Sequence, residues 1–390
     1  MADNQIILTK DQSWAYNEIM GWFELEKDCN AEYDVFTLGG FAGTGKSTLI
    51  GYLADQMRIA FDINIAFCAF SGKASLVMKN KISLGAKDYC GTIHSLIYSL
   101  RGKDKETREL YFERNDCDLD YDLIIVDEAS MVNEYIYNDL KSFGIPILAV
   151  GDHGQLPPVK GAFNLMKDPD IKLEKIMRQA EGNPIIKLSM MAREGLEIPF
   201  DEWNSILGYA KKCRNFDFNQ HDFSDANSII ICGSNQYRLR YNNFARDRLG
   251  HVTKKPNEGE QVICLMNDRN KMIFNGMIGT VLECKDYDDF RYDAIIHFPG
   301  YKNPTECLMW KDQFLQKYTL DVEDLPEDVA KGINQFDYAY CITAHKSQGS
   351  EWANVIIIDQ YMPWLSENDR RRWLYTAITR AKERLIIIKK

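Results

Sequence analysis

The sequence predicts an α/β protein with two parallel-sheet domains in tandem and small inserted domains, one of them a β-barrel. The first observation behind this is that short apolar runs alternate with helix-like segments in both halves of the chain, a pattern typical of parallel strands covered by helices on both faces. The second is a glycine-rich turn between the first strand pattern and the helix pattern after it. The third is residues 258–320, where short alternating strands separated by turn residues indicate a separate β-structure.

Composition is that of an ordinary globular protein of the reducing cytosol. The 390 residues suffice for two or three domains, and 45% hydrophobic with 27% charged residues is a common balance. The ten cysteines form no C-x-x-C pair, which argues against a zinc site and a disulfide framework. No apolar run reaches the roughly 18 residues of a membrane span, and the first residues do not resemble a secretory signal. We therefore expect a cytoplasmic protein with no membrane partner.

The charge of the chain gives two opposing signals about nucleic acid. A net charge of −10 weighs against a protein that coats nucleic acid by bulk charge, although a narrow basic groove can exist on an acidic body. The last 21 residues carry eight Lys or Arg and one acidic residue, Glu383. Such a run is either a solvated helix face or a basic surface, and charge alone leaves both open.

The glycine-rich segment at 38–50, LGGFAGTGKSTLI, is a P-loop in the context that a P-loop requires. A strand pattern precedes it, a helix pattern follows it, and between them lies Gly40-x-x-x-x-Gly45-Lys46-Ser47. Glycines let backbone N–H groups surround phosphate oxygens, and the helix N-terminus adds a positive dipole end. Lys46 would reach the β- and γ-phosphates, and Ser47 would ligate Mg²⁺. The predicted nucleotide-binding residues of this segment are Gly40, Gly43, Thr44, Gly45, Lys46, Ser47 and Thr48.

A P-loop needs a second strand that ends in a carboxylate, and residues 121–130 (YDLIIVDEAS) supply it. The apolar run ends in Asp127-Glu128, about 80 residues after the P-loop. Asp127 would hold Mg²⁺, mostly through water. Glu128 would polarise the attacking water. The sequence therefore predicts hydrolysis of ATP, with ATP and Mg²⁺ bound.

Further segments indicate what the hydrolysis drives. With the two above they resemble, in order and spacing, the eight motifs of superfamily 1 helicases, and within these the RecD-like group that includes the phage Dda helicase. The ending Leu156-Pro157-Pro158 is the RecD-like and Pif-like form. The resemblance covers nearly the whole chain and implies two RecA-like domains with an SH3-like β-barrel inserted in the second. Motifs I, Ia, Ib, II, III, IV, V and VI lie at 40–48, 67–75, 91–97, 126–130, 151–159, 173–179, 342–352 and 374–385.

The resemblance implies roles for residues around the nucleotide. Gln12 is similar to the glutamine that recognises adenine, with a helix cap as the alternative. Gln155 would sense the γ-phosphate. Gly349 and Glu351 of motif V would lie near the ribose and phosphates.

Two arginines complete the implied catalytic set of Lys46, Glu128 and Gln155. Arg178 and Arg380 would stabilise the transferring phosphoryl group, an interaction worth roughly 10³–10⁵ in rate in related systems. Arg178 as a plain surface charge is the alternative. With groups from both halves on one nucleotide, hydrolysis would change how the halves close on each other and so drive stepping along a strand.

Three motifs would grip a nucleic-acid strand without reading its sequence. Small, polar or cationic groups suit backbone contacts, and an aromatic ring can stack on a base. For the histidines, a hydrogen-bonded structural role is the alternative. The predicted strand-binding residues are Phe70, Ser71, Lys73, Thr92, His94, Thr343, His345 and Lys346.

The predicted domain boundaries follow from the motifs and the composition. In the family, the place of 97–120 holds a β-hairpin pin that splits duplex, whereas the charged composition equally fits a solvated loop. DEWNSILGYAKK, at 201–212, is the clearest helix of a predicted bridge. The first RecA-like domain is predicted at 1–170, with an insertion at about 97–120. The second RecA-like domain is predicted at 171–257 and 321–390, with a helical bridge at 180–225. The SH3-like insert is predicted at 258–320.

The resemblance implies an ATP-dependent DNA helicase that moves 5′ to 3′ along single-stranded DNA and unwinds duplex DNA. Its partners would be single-stranded DNA, forked duplex DNA and proteins of replication, repair or recombination. It would act as a monomer in the cytoplasm of a bacterial or phage-infected cell. Two alternatives stay open: an RNA helicase or remodelling ATPase, and a strand-stimulated ATPase subunit that does not unwind.

Overall fold

The chain divides into two compact units, Met1–Glu181 and Gly182–Lys390. No helix among the described residues is both long and apolar enough to cross a membrane. The computed structural model describes residues 7–29, 35–103, 110–115, 118–157, 163–176, 182–268, 270–271 and 273–390.

The first unit is built around a parallel six-stranded sheet with the strand order β3-β2-β6-β7-β1-β8. Its helices are α1 (Lys10–Cys29), α2 (Lys46–Phe61), α3 (Gly72–Lys81), α4 (Ile93–Ile97) and α5 (Glu134–Lys141). Its strands are β1 (Val35–Gly40), β2 (Ile65–Ala69), β3 (Tyr89–Thr92), β4 (Tyr98–Lys103), β5 (Leu110–Arg114), β6 (Leu123–Asp127), β7 (Ile147–Gly151) and β8 (Ile171–Leu173).

Helices cover both faces of this sheet, as the apolar runs predict. In β6, Leu123 and Ile125 pack with α1 and α2, while Ile124 and Val126 pack with α4 and α5. Alternate residues of one strand therefore enter two different cores, which requires a continuous apolar run. Because all the strands are parallel, the segments that follow β1, β2, β3, β6 and β7 meet at one edge of the sheet.

The segment 97–120 contains a β-hairpin. Strands β4 and β5 pair antiparallel from Tyr98↔Arg114 to Lys103↔Leu110. The open choice between a hairpin and a loop is thus resolved in favour of two paired strands, and the tip at 104–109 lies outside the described residues.

The second unit contains two further six-stranded sheets. Its helices are α6 (Pro184–Glu194), α7 (Asn235–Arg248), α8 (Glu327–Ala330), α9 (Ala344–Ser347) and α10 (Glu367–Ile378). Its strands are β9 (Glu202–Ser205), β10 (Gly208–Cys213), β11 (Ser228–Cys232), β12 (Gln261–Cys264), β13 (Ile278–Asp286), β14 (Arg291–His297), β15 (Thr305–Trp310), β16 (Ile333–Asn334), β17 (Phe336–Tyr338), β18 (Cys341–Thr343), β19 (Trp352–Asp359) and β20 (Ala381–Lys389).

The larger sheet of the second unit has the order β18-β11-β19-β20-β10-β9 and is parallel except at β9. The predicted helix at 201–212 is wrong, because these residues form the β9–β10 hairpin. Strand β10 pairs with β20 from Tyr209↔Arg384 to Cys213↔Ile388. Pairing with β20, a strand far away in the sequence, overrides the local helical spacing of the apolar residues.

Strands β12 to β15 occupy the four stretches predicted as strands in 258–320, but a closed barrel is not found. The described strands form an open, mostly antiparallel sheet with the order β16-β15-β14-β13-β12-β17. The edge strands β16 and β17 lie beyond 320 in sequence. The core is shared, since Ile230 and Ile356 of the parallel sheet belong to the same buried cluster as Val262 and Ile296. The insert is therefore packed onto the second unit.

Candidate functional site

The P-loop connects β1 to α2 with the backbone geometry that its glycines permit. Gly43 and Gly45 both have a φ of +80°, in the left-handed region where other residues are strained. Gly45 is the N-cap residue of α2, and no side chain among the described residues caps this helix or puts an acid in its first turn. The first N–H groups of α2, at the exposed Ser47 and Thr48, are therefore available to an anion.

Lys46 lies folded into the loop. Its Nζ donates to the carbonyl oxygens of Gly40, at 2.6 Å, and Phe41, at 3.1 Å. The buried Thr44 Oγ1 donates to the same Phe41 carbonyl at 2.9 Å. A Cβ at Gly40 would lie 2.8 Å from Thr44 Oγ1 and 3.0 Å from Lys46 Cδ, so a larger residue there would displace these side chains.

Asp127, at the end of β6, lines one pocket with Ser47. Burial raises the pKa of the Asp127 carboxyl, while the Glu128 N–H, at 2.9 Å, and the Lys46 charge lower it. A carboxylate that burial destabilises is a group that a bound cation stabilises. Carboxylate and hydroxyl oxygens are also the donors that Mg²⁺ prefers. The residues present therefore fit a magnesium ion.

Two features beside this pocket carry no signal in the motif pattern. Glu128 has a φ of +52°, a left-handed conformation that is uncommon for a residue with a side chain and that clusters at functional sites. Lys81, at the end of α3, lines the pocket, and its charge helps to lower the pKa of Asp127. Only the fold places Lys81 here.

The loop after β7 packs against the P-loop. Gln155 is 4% exposed, and its Nε2 donates to Asp152 Oδ2 at 3.3 Å. The His153 ring lies 4.1 Å from the Phe41 ring, centroid to centroid, and burial lowers the pKa of His153. The structure thus brings Gln155 to the sheet edge that holds Lys46 and Asp127.

Gln12 holds the start of α1 and contacts the P-loop. Its Oε1 accepts from the Thr9 N–H at 3.0 Å, and its own N–H donates to Thr9 Oγ1 at 3.2 Å, which is a capping box. Its Nε2 donates to the carbonyl oxygens of Thr44, at 3.3 Å, and Gly45, at 3.4 Å. Both ends of the amide thus bond within the protein, as in the helix-cap alternative.

The second unit brings Arg380, Gly349 and Glu351 together at the amino edge of its parallel sheet, where Trp352 pairs with Ala381. Arg380 is 4% exposed. Its Nε donates to Thr376 O at 3.0 Å, its Nη1 to Ser350 O at 3.1 Å and its Nη2 to Thr379 Oγ1 at 3.0 Å. Gly349 has a φ of +69°, and Glu351 pairs with Lys382 at 3.0 Å. Arg178 lies outside the described residues.

The predicted strand-binding residues of the first unit gather after β2 and β3. The His94 ring lies 6.1 Å from the Phe70 ring and 5.5 Å from the Tyr98 ring, centroid to centroid. Ser71 and Thr92 are N-caps: Ser71 Oγ accepts from Ala74 N at 3.2 Å, and Thr92 Oγ1 accepts from Ser95 N at 3.1 Å. Lys73 lies in the first turn of α3, and its side chain is outside the described part.

The predicted strand-binding residues of the second unit follow β18, at the carboxyl edge of the sheet. Thr343 ends β18, and His345 is exposed, although desolvation by the surrounding protein lowers the pKa of its imidazole. Burial also lowers the pKa of Lys346, whose Nζ donates to Asn275 Oδ1 of the insert. His345 thus offers an exposed hydrogen-bonding group at this edge.

The C-terminal basic run is engaged in several ion pairs within the second unit. Arg370 and Lys389 both pair with Asp359, Arg371 pairs with Glu367, and Lys382 pairs with Glu351. Only its first three arginines lie on a helix, α10, whereas Lys382, Arg384 and Lys389 lie in β20 and Arg380 is buried, so the run as a whole is not a solvated helix face.

Comparison with known proteins places these sites in a family. The model of an AAA domain matches residues 25–202, and the model of a UvrD-like helicase C-terminal domain matches residues 338–388. Together the two matches cover more than half of the chain.

Two curated relatives align over nearly the whole chain. The ATP-dependent RecD2 DNA helicase of Deinococcus radiodurans is 27% identical, covering 91% of this chain and 47% of that protein. This chain thus spans about half the length of that relative. The ATP-dependent DNA helicase Pif1 of Campylobacter jejuni is 24% identical, covering 90% of this chain and 87% of that protein.

Solved structures share the fold. The Pif1 helicase from Bacteroides in complex with ADP-AlF3 and single-stranded DNA has a TM-score of 0.60 at 19% identity, covering 98% of this chain and 92% of that chain. The Pif1 helicase from Candida albicans has a TM-score of 0.56 at 18% identity, covering 98% of this chain and 94% of that chain.

Fold and site together define a P-loop protein with two parallel α/β sheets. By its two matched domain models and its curated relatives, the chain is similar to superfamily 1 helicases of the RecD-like and Pif1-like branch. The resemblance inferred from the eight motifs is confirmed.

Proposed function

We propose that the protein is an ATP-dependent DNA helicase that moves along single-stranded DNA and unwinds duplex DNA. The observation that carries this proposal is the P-loop pocket, where the uncapped start of α2, the Lys46 ammonium and the Asp127 carboxylate lie at one sheet edge. The two curated relatives, both ATP-dependent DNA helicases by name, support DNA as the partner.

The P-loop would bind the triphosphate by exchanging internal hydrogen bonds for phosphate contacts. Lys46 would leave the Gly40 and Phe41 carbonyls, which hold it 2.6 and 3.1 Å away, and move to the β- and γ-phosphates. Backbone N–H groups of residues 43–48 would surround the remaining oxygens. Mg²⁺, held by Ser47 and Asp127, would supply positive charge that neutralises the phosphates.

Glu128 and Gln155 would act on the water that attacks the γ-phosphate. The left-handed backbone at Glu128 fixes the direction in which its side chain leaves the end of β6. Gln155 is held in place by Asp152 at 3.3 Å. A carboxylate beside the attacking water orients it and accepts its proton.

Arg380 would stabilise the charge that develops on the transferring phosphoryl group, with Arg178 as a second such arginine. To do so, the Arg380 guanidinium must exchange its bonds to Thr376 O and Ser350 O for phosphate oxygens. Because Ser350 lies between Gly349 and Glu351, loss of the Arg380 bond to Ser350 O would directly alter the contacts of motif V.

The DNA strand would lie on the carboxyl edges of the two parallel sheets. Phe70 and His94 would provide aromatic contacts in the first unit, with Ser71, Lys73 and Thr92 beside them. Thr343, His345 and Lys346 would provide backbone contacts in the second. The β4–β5 hairpin at 98–114 would be the element that separates duplex strands.

The direction of movement and the partners are inferred from the resemblance to RecD-like and Pif1-like helicases. We infer movement 5′ to 3′, binding of single-stranded and forked DNA, action as a monomer in a bacterial or phage-infected cell, and contact with replication or recombination proteins.

The experiment that tests the proposal uses the purified full chain and two tailed duplexes, one with a 5′ and one with a 3′ overhang. We expect ATP hydrolysis stimulated by single-stranded DNA and displacement from the 5′-tailed duplex only. Stimulation by RNA alone, or stimulation without displacement on either duplex, would replace this proposal with one of the two alternatives. A variant lacking residues 102–111 should keep strand-stimulated hydrolysis and lose unwinding.

A further inference from the structure

The loop that follows β19, residues 360–364, exposes two large aromatic side chains. Tyr361 is 79% exposed and Trp364 is 60% exposed, whereas Gln360 and Met362 in the same loop are 2% and 5% exposed. We call these five residues the β19 loop. Exposed large apolar groups that lie together, rather than singly, are a feature of interaction sites.

The β19 loop is anchored by the residues that point inward. Gln360 Oε1 accepts from the Gly233 N–H at 3.2 Å, and Gln360 Nε2 donates to Ser234 Oγ at 3.0 Å. Met362 packs on Gly233 so closely that a Cβ there would lie 2.1 Å from its sulfur. The loop is thus fixed to the end of β11, so less backbone freedom would be lost on binding.

The β19 loop lies at the same sheet edge as the proposed strand contacts of motif V. The strand order β18-β11-β19 puts Thr343, at the end of β18, two strand spacings from the end of β19. Two spacings are about 10 Å, or about three nucleotide rises of ~3.4 Å. A strand held at 343–346 therefore reaches the loop within a few nucleotides.

The carboxylates near the β19 loop are paired with cations and would therefore not prevent a nucleic-acid strand from binding there. Asp359, which precedes it, is 3% exposed and pairs with both Arg370 and Lys389. Glu367, at the start of α10, pairs with Arg371. The carboxylates closest in sequence are therefore matched by cations, and Asp359 by two.

We propose that Tyr361 and Trp364 are a stacking site for unpaired bases of the strand held by the second unit. This rests on the proposed function. Each ring offers a π-face to any base, so the site would be blind to sequence. It would add affinity outside the eight motifs.

The test measures binding of the full-length protein to fluorescent single-stranded oligothymidine by anisotropy. Variants are Tyr361→Ala, Trp364→Ala and the double variant, with Tyr318→Ala as the matched control, since Tyr318 is a 65% exposed tyrosine of the same unit. We expect about thirtyfold weaker binding or more for the double variant and no change for the control. Thermal melting confirms that each variant is folded.

A second oligonucleotide distinguishes the loss of base stacking from other effects of the substitutions. On an oligonucleotide of equal length whose central nucleotides are abasic, wild type and double variant should bind equally, because no base is present to stack. Equal losses on intact and abasic strands, or unchanged binding of the double variant to intact strand, would overturn the stacking site while leaving the proposed function standing. Failure of wild type to bind any single strand would overturn both.

Discussion

The two parallel sheets of this protein use their edges differently. In the first sheet, the P-loop follows β1, Asp127 ends β6 and Phe70 follows β2, so the residues proposed to bind nucleotide and those proposed to bind DNA share the carboxyl edge. In the second sheet, Arg380 and Glu351 precede β20 and β19 at the amino edge, whereas Thr343 ends β18 at the carboxyl edge.

The difference indicates two ways of transmitting a change at the nucleotide. In the first sheet, β6 and β2 are neighbours, so the distance from nucleotide to strand residues is about one strand spacing, ~5 Å. In the second, if Arg380 contacts the nucleotide as proposed, the change would pass along β19, whose 8 residues span about 26 Å. Strands buried on both faces are stiff, so the second sheet is expected to move as one body.

The largest effect is expected on ATP hydrolysis when Lys46, in the P-loop of the first sheet, is replaced. Lys46→Ala removes the ammonium that would bind the β- and γ-phosphates, and ATP hydrolysis measured by phosphate release should fall by about 10³-fold or more. Lys87→Ala, an exposed lysine of the same unit, is the matched control and should hydrolyse ATP at the wild-type rate. A Lys46→Ala variant with full activity would refute the P-loop assignment.

The second-largest effect is expected on ATP hydrolysis when Arg380, at the amino edge of the second sheet, is replaced. Arg380→Ala and Arg380→Lys should each slow hydrolysis by about 10³-fold with little change in nucleotide affinity, because the guanidinium would act on the transition state. Arg380→Lys keeps the charge and loses the planar fork, so its similar loss would show that geometry matters. An equal loss of nucleotide affinity and rate would instead show that Arg380 only binds the ground state.

Asp127→Asn should have opposite effects on activity and stability. Because burial raises the pKa of Asp127, this group favours folding below its unfolded pKa of ~3.9, and that contribution is lost as pH rises through its folded pKa. At pH 7 the charged carboxylate therefore costs stability. The nucleotide-free variant should melt at a higher temperature than wild type, by a margin that grows from acid to neutral pH, and hydrolysis should be lost. A variant that melts lower at pH 7 would contradict this.

The smallest expected effect separates the two roles of Gln12. Gln12→Ala removes the capping box and the bonds to Thr44 O and Gly45 O, and should cost about 1 kcal/mol of stability. If Gln12 supports the P-loop, affinity for ATP and GTP should fall by the same factor. If it also reads adenine, affinity for ATP should fall more than affinity for GTP. Thr9→Ala, which removes the hydroxyl of the cap alone, is the control and should leave nucleotide affinity nearly unchanged.

Much of the site could be predicted from sequence because its chemistry is local. The glycines that need positive φ, the lysine and the serine lie within nine residues, 40–48, and the strand before them is a continuous apolar run. Asp127 could be paired with the P-loop because parallel strands end at one edge. The four strands in 258–320 were likewise visible as alternating patterns.

What the tertiary structure alone decided depends on pairing between distant segments. Residues 201–212 have helical spacing but form β9 and β10, because β20, more than 170 residues away, offers an open edge. The insert is an open sheet because its edge strands, β16 and β17, come from beyond 320. Pairing between distant segments also produces the Arg380 bond to Ser350 and places Tyr361 beside the end of β11. The local sequence determines which reactive side chains are present. Strand pairing determines which of these side chains come together, because the backbone hydrogen bonds between strands join residues that are far apart in the sequence.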